Sequence, residues 1–175
     1  MLVRPLSTAD LGEVSDIFGW YATGSMATFE ESARTATEWT RLTDELAAVA
    51  LPFLVAEVDG EVAGYAYAGP WRRKPAYRAT VEDSIFIAPS RTGQGIGRLL
   101  LTELLSACAV AGVRQVIAVI ADVDAGASIR LHEALGFVLA GRLTEVGFKH
   151  GRWIDTVLMQ RTLSYAPSDP VRLGP

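Results

Sequence analysis

Near the middle of the chain, Thr92-Gly93-Gln94-Gly95-Ile96-Gly97 joins an apolar stretch ending at Pro89 to a run in which Leu100, Leu101, Leu104 and Leu105 recur at helical spacing. Alternating glycines let the backbone turn sharply from strand into helix and leave consecutive N–H groups bare at the helix's first turn. Those donors, with the positive end of the helix dipole, suit a pyrophosphate. The competing reading is a tight turn with glycines for geometry alone, but their alternation directly before a long helix favours the anion. The segment is not the dinucleotide fingerprint, because Leu100 stands where the last glycine of GxGxxG would follow Gly95 and Gly97. Nor is it a P-loop, since no Gly-Lys-Ser/Thr occurs anywhere in the sequence.

The elements around this turn follow from hydrophobic period and turn chemistry. Val3 to Leu6 predicts a short strand, and Ser7 to Asp10 a capping box ahead of a helix carrying Leu11, Val14 and Phe18. Tyr21 to Glu31 reads as a loop with exposed aromatics, and Trp39, Leu42, Leu46 and Val49 as a second helix stopped by Pro52. Phe53–Val58 and Glu61–Ala68 flank Asp59-Gly60, the pair that favours a two-residue hairpin turn. A basic loop, Trp71 to Arg78, leads to a strand over Thr80–Ala88. The long helix is predicted over Ile96–Ala111 with Gly112 as its C-cap, followed by a strand over Val113–Ala121 and a short helix over Ala127–Leu135. Phe137 to Leu163 reads as two strands around Gly147 and Gly151. The order β-α-α-β-β-β-α-β-α-β-β predicts an α/β chain of the α+β type, a mixed, mostly antiparallel central sheet flanked by helices.

Composition narrows the function classes. Sixteen Lys+Arg against twenty Asp+Glu leave a formal net charge of −4, which argues against a nucleic-acid binder working through phosphate neutralisation. The uncharged run Gln115–Ala121 is far shorter than the ~18 residues of a membrane span, so no membrane partner is expected. The lone Cys108 allows neither an internal disulfide nor a cysteine metal cluster, and it reads as a small buried hydrophobe. Met1 to Pro5 lacks the apolar core of a secretory leader, which predicts a cytoplasmic protein. Residues 1–163 are expected to form a single domain, and 164–175, with Pro167, Pro170 and Pro175, a loose tail.

Three places carry candidate chemistry. On the strand that feeds the turn, period two puts Glu82, Ser84 and Phe86 on one face and Asp83, Ile85 and Ile87 on the other. One acid therefore enters a half-apolar surface, where its pKa rises and it can serve as a general base. The equal alternative is an ion pair with Arg72, Arg73 or Arg78. His132, on the short helix, is either a proton carrier near neutral pH or a satisfied structural histidine. No metal is expected: His132 and His150 are the only histidines, no HExxH spacing exists, and Asp122 and Asp124 read as solvated loop carboxylates.

Together these stretches resemble one family within the GNAT superfamily, the phosphinothricin and methionine sulfoximine N-acetyltransferases. The likeness runs from about Val3 to Leu163. It is carried by Gly69-Pro70-Trp71, Tyr77, Val81 to Ile87, the glycine turn, Ser128 to Phe137 and Val146 to Asp155, the last two being the most family-specific. The resemblance implies the GNAT acyl-CoA N-acyltransferase fold, acetyl-CoA as co-substrate, a small amino-acid-like acceptor, a homodimer, and a role in antibiotic or herbicide resistance or in ordinary amino-acid acetylation. It places Glu82 at the general base, and His132 near the thioester sulfur, where the histidine or a water protonates the thiolate. Phe29, Trp71, Arg72, Arg73, Tyr77, Val81 and Asp83 fall at acceptor positions. Ser84, Ile85, Phe86 and Ile87, then Thr92, Gly93, Gln94, Gly95, Ile96 and Gly97, then Ala125 and Ser128, fall at coenzyme positions.

Departures from the family pattern are local. Thr92 stands where Arg or Gln is usual, with Arg91 beside it, and Ala125 stands where the family has a coenzyme-contacting Asn, with Asp122 and Asp124 nearby. The basic loop Trp71–Arg78 suits an acceptor bearing an acid group rather than a polyamine. The alternatives are acetylation of protein N-termini or other amines, a non-catalytic acyl-CoA sensor, and a self-associating module built on Tyr21 and Phe29.

Overall fold

The computed structural model of the chain describes residues 1–163; the expected tail, 164–175, lies outside the described residues. Eleven elements follow one another: β1 (Leu2–Pro5), α1 (Leu11–Gly24), α2 (Ala36–Ala48), β2 (Phe53–Val58), β3 (Glu61–Pro70), β4 (Thr80–Ile87), α3 (Ile96–Val110), β5 (Gln115–Ala121), α4 (Gly126–Ala134), β6 (Val138–Lys149) and β7 (Arg152–Thr162). The order matches the expectation from the sequence. The bounds differ mainly at α1, which runs to Gly24 and so takes Tyr21 out of the loop; Val14, Ile17, Phe18 and Ala22 bury one face along its whole length. Among the described residues no helix is long and apolar enough to cross a membrane.

The strands form one seven-stranded sheet in the order β1-β2-β3-β4-β5-β7-β6. Only β4 and β5 are parallel, as the α3 crossover between them requires. Asp59 and Gly60, with φ of 54° and 86°, close the β2–β3 hairpin. One face of the sheet packs on α3 and α4, where Leu100, Leu101, Leu104 and Cys108 are fully buried. At about 1.5–3 kcal/mol for each large side chain taken out of water, this layer anchors the glycine turn from behind. The other face carries α1 and α2 over Phe53, Val55, Tyr65 and Tyr67. There Trp39 meets Phe18 edge-on, with ring centroids 5.5 Å apart.

The register of β4 opens the middle of the sheet. The β4–β5 ladder runs only from Thr80↔Gln115 to Asp83↔Ala118, whereas β3 stays paired with β4 as far as Ile87. Beyond Asp83 the two parallel strands part, opening a wedge in the middle of the sheet.

Candidate active site

The wedge and the loops around it enclose a cavity of about 700 Å³. Its wall includes Glu82 to Ile87 of β4, Ala118 to Ala121 of β5, and the start of α3 and of α4. Two helix N-termini thus converge on it, a suitable place for negative charge.

The glycine turn is built as its sequence suggests, with a division of labour among the glycines. Gly93 and Gly95 sit at φ of 75° and 81°, a region that residues with a β-carbon avoid, and Gly95 is the N-cap of α3. Nothing lies within 4 Å of where a β-carbon would stand on either, so these two are needed for backbone shape and leave open space. Gly97 serves packing: a β-carbon there would press on Leu131 Cδ2 of α4 at 3.3 Å. Thr92, Gly93, Gly95, Ile96 and Gly97 all line the cavity, while Gln94 does not. Arg91 also reaches the cavity, but its guanidinium is shared with Glu61 (3.4 Å) and Asp59 (3.8 Å) of the β2–β3 turn.

The adjacent acids lie as period two requires. Val81 and Asp83 point into the α3 side and are buried, whereas Glu82 on the opposite face is half-buried in the cavity wall. Burial, and then the neighbouring Asp83 charge, push the Glu82 pKa above the ordinary carboxylate range, with the Arg72 cation opposing them. Among the described residues, no ion pair joins Glu82 to Arg72, Arg73 or Arg78. The carboxyl is therefore left without a fixed cationic partner.

His132 is almost fully buried, beside the apex of the wedge. Its Nδ1 lies 2.8 Å from the Ser128 carbonyl and its Nε2 lies 3.1 Å from Asp83 Oδ2. Burial works against the charged ring, but the hydrogen bond and charge of Asp83, helped by the Ser128 carbonyl, outweigh it and raise the imidazole pKa. The second Asp83 oxygen, Oδ1, has no hydrogen-bond partner among the described residues. Cys108 is shielded in α3, its thiol pushed up to about 12 by burial and by Asp83, which leaves it unsuited to act as a nucleophile.

Thr28, Phe29 and Arg34 of the loop between α1 and α2 also line the cavity, with Tyr67 of β3. Arg34 was invisible to motif reasoning, because it lies in no recognisable pattern; only the packing of α1 against α2 shows it. Its guanidinium lies over the rings of Phe18 and Trp39, 4.8 and 5.0 Å from their centroids, and makes long contacts to Tyr67 Oη (3.4 Å) and Glu30 (3.3 Å).

The remaining expected positions divide. Ala125 and Ser128 line the cavity, as does Asp124, whose φ of 54° absorbs the turn before α4. Asp122 instead pairs with Arg142. Trp71, Arg72, Arg73 and Tyr77 are not in the cavity wall, and Val81 turns its side chain into the core. The physical reason is the exposed course of the loop: Arg72 stacks on Trp71 at 4.3 Å, and the stretch from Arg72 to Arg78 is solvated. Only through its charge does Arg72 act on the site, by way of Glu82. Among the described residues no three His, Cys, Asp or Glu side chains gather as metal ligands would.

The chain is similar to known proteins over most of its length. The Acetyltransferase (GNAT) family matches residues 15–137. A phosphinothricin N-acetyltransferase of Alcaligenes faecalis is 47% identical over 162 residues, 93% of this chain and 82% of that protein. An L-methionine sulfoximine/L-methionine sulfone acetyltransferase of Salmonella typhimurium is 35% identical, covering 93% of this chain and 95% of its own. Among solved structures, a GNAT superfamily phosphinothricin acetyltransferase from Sinorhizobium meliloti in complex with AcCoA superposes with a TM-score of 0.92 at 40% identity, over 99% of this chain and 94% of that one.

Proposed function

The chain belongs to the GNAT family of acetyltransferases, and from that premise we propose that it moves the acetyl group of acetyl-CoA to the free amino group of a small amino acid or analogue, with phosphinothricin, methionine sulfoximine and methionine sulfone as the acceptors to test first. The observation that carries the reading is the half-buried Glu82, its pKa raised and without an ion-pair partner, on the strand where the parallel ladder opens.

An ammonium is no nucleophile, so Glu82 first takes its proton, directly or through one water. The freed nitrogen forms a bond to the thioester carbonyl carbon. Past Asp83, β4 amides directed toward β5 have no strand partner there, and they stabilise the oxyanion that develops. As the carbon–sulfur bond breaks, the nitrogen, cationic in the tetrahedral adduct, gives its second proton to a water, which passes a proton on to the leaving thiolate; both ring nitrogens of His132 are already hydrogen-bonded. The N-terminal amides of α3, shaped by Gly93 and Gly95, receive the coenzyme diphosphate. Arg34 faces the acceptor half of the cavity and suits a substrate acid group.

The same reading makes the enzyme cytoplasmic, its catalytic domain residues 1–163, and gives it a role in resistance to a toxic analogue. It also makes the enzyme a homodimer: Val138, Leu139, Leu143, Val146 and Phe148 of the edge strand β6 and Trp153 of β7 are exposed large apolar side chains, available to a second copy. The test is an amine panel with acetyl-CoA, following free-thiol release, with sedimentation of the same protein. Release with the three analogues is the expected result. Tight coenzyme binding without turnover on any amine would make the chain a sensor and overturn the proposal.

A further inference from the structure

The stretch Val146 to Asp155, among the most family-specific in the sequence, contributes nothing to the cavity wall, so the proposed chemistry leaves it without a task. Two of its residues nevertheless reach the segment that does form that wall. Lys149, the last residue of β6, is 1% exposed, and its ammonium donates to the Thr28 carbonyl at 2.8 Å. No carboxylate comes within ion-pair distance of it among the described residues. Burial therefore pulls its pKa down, only partly offset by Glu31 and Glu30. A buried cation holding one loop carbonyl costs stability that an apolar side chain of similar size would not.

Two residues earlier on the same strand face, Gly147 supports the neighbouring loop residue. A β-carbon on Gly147 would lie 2.6 Å from Cζ of Phe29 and closer still to Cε1, so the ring rests directly on bare backbone. The β6–β7 ladder pairs Gly147 with Ile154 and Lys149 with Arg152, and that pairing holds both contacts on one rigid hairpin end. Thr28 and Phe29 are thus fixed from outside the cavity that they line.

We propose that Gly147 and Lys149 are positioning residues for the acceptor: they clamp Thr28 and Phe29 to the β6–β7 hairpin and so set the width of the acceptor half of the cavity. The inference rests on the proposed function above, in which Glu82 deprotonates an amine held in the cavity that Phe29 also lines. It gives the hairpin motif a physical task, since a larger residue at 147 pushes the Phe29 ring away from the hairpin and the loss of the cation at 149 frees the Thr28 carbonyl.

The test combines steady-state kinetics on methionine sulfoximine with amide hydrogen exchange, on the wild type, Gly147→Ala, Phe29→Ala, the double variant and Lys149→Met. Gly147→Ala is expected to raise the acceptor KM by about tenfold, the scale of a methyl forced into a packed site, with the acetyl-CoA Kd unchanged within about twofold. In the Phe29→Ala background, where the methyl has room, adding Gly147→Ala should change the acceptor KM by less than about twofold. That double variant also keeps the test open if Gly147→Ala alone does not fold. Lys149→Met should speed exchange of residues 27–31 and leave β5 unaffected. Equal effects of Gly147→Ala in both backgrounds, an effect on coenzyme Kd instead of acceptor KM, or unchanged loop exchange in Lys149→Met would each overturn the clamp. A wild type that binds acetyl-CoA but acetylates no amine overturns the functional reading, and the acceptor role with it; the exchange measurements then still tell whether the contact exists.

Discussion

His132 Nε2 lies 3.1 Å from Asp83 Oδ2, with both side chains 2% exposed, so that a histidine of α4 and an aspartate of β4 meet at the apex of the wedge. The Ser128 carbonyl, 2.8 Å from Nδ1, can only accept, so Nδ1 carries a proton. Below the raised pKa of the ring, Nε2 carries another and donates it to Asp83. The pair is then an imidazolium and a carboxylate tying the short helix to the strand, which suits holding the wedge open to a fixed width better than shuttling protons.

The pair makes stability depend on pH in a definite direction. The folded His132 pKa is raised above its unfolded value of about 6.5, so the extra stability is fully present below that value and is lost as pH rises through the folded pKa. Urea melts of the wild type and His132→Gln from pH 5.5 to 9 should show a gap that is widest at the acid end and narrows upward. A gap that widens with pH would mean that the ring is neutral in the fold.

If Glu82 is the base, Glu82→Gln should lower kcat by about a hundredfold or more while the acetyl-CoA Kd stays near that of the wild type. The acid limb of the wild-type kcat/KM profile should inflect above the ordinary carboxylate range, since burial and Asp83 both hold the Glu82 pKa up. Arg72 opposes that rise, so Arg72→Met should move the inflection to still higher pH. A shift downward, or an active Glu82→Gln at neutral pH, would remove Glu82 from the role.

The sequence made this strand legible because alternation along Glu82-Asp83-Ser84 needs only period two to separate the acids, and the glycine turn was legible because positive φ favours glycine. What stayed hidden depends on contacts distant in sequence. Asp83 and His132 are 49 residues apart, and Lys149 meets Thr28 across 121. No periodicity links such positions. Trp71 to Tyr77 shows the converse: a basic, aromatic loop reads as a binding surface, but composition does not encode its course, which runs exposed outside the cavity wall.

Gly95 offers a test of backbone shape free of steric clash. With φ at 81° and nothing within 4 Å of its would-be β-carbon, Gly95→Ala meets only conformational strain. It should cost about 1–2 kcal/mol of stability and weaken acetyl-CoA binding, as measured by denaturant melts and calorimetry. Gly97→Ala, which instead presses on Leu131, should disturb the packing of α3 on α4. Were Gly95→Ala to bind the coenzyme as tightly as wild type, the amides of this turn could not be the diphosphate site.

Arg34 gives the sharpest test of acceptor chemistry. Its guanidinium lies over two rings, and its contacts to Tyr67 and Glu30, at 3.4 and 3.3 Å, are long for charge-assisted hydrogen bonds, so its donors are only loosely engaged. A substrate carboxylate could therefore draw them away at little loss. If so, Arg34→Met should raise KM for methionine sulfoximine by about tenfold or more, the worth of a charge-assisted bond, but should leave KM nearly unchanged for the matching amine that lacks the α-carboxylate. Comparing the two acceptors separates recognition from architecture: loss of the stacking on Phe18 and Trp39 would penalise both amines alike, whereas loss of an anion partner penalises only the one that carries the anion. Equal penalties would assign Arg34 to the packing of α1 on α2 and leave the acid group to be recognised elsewhere.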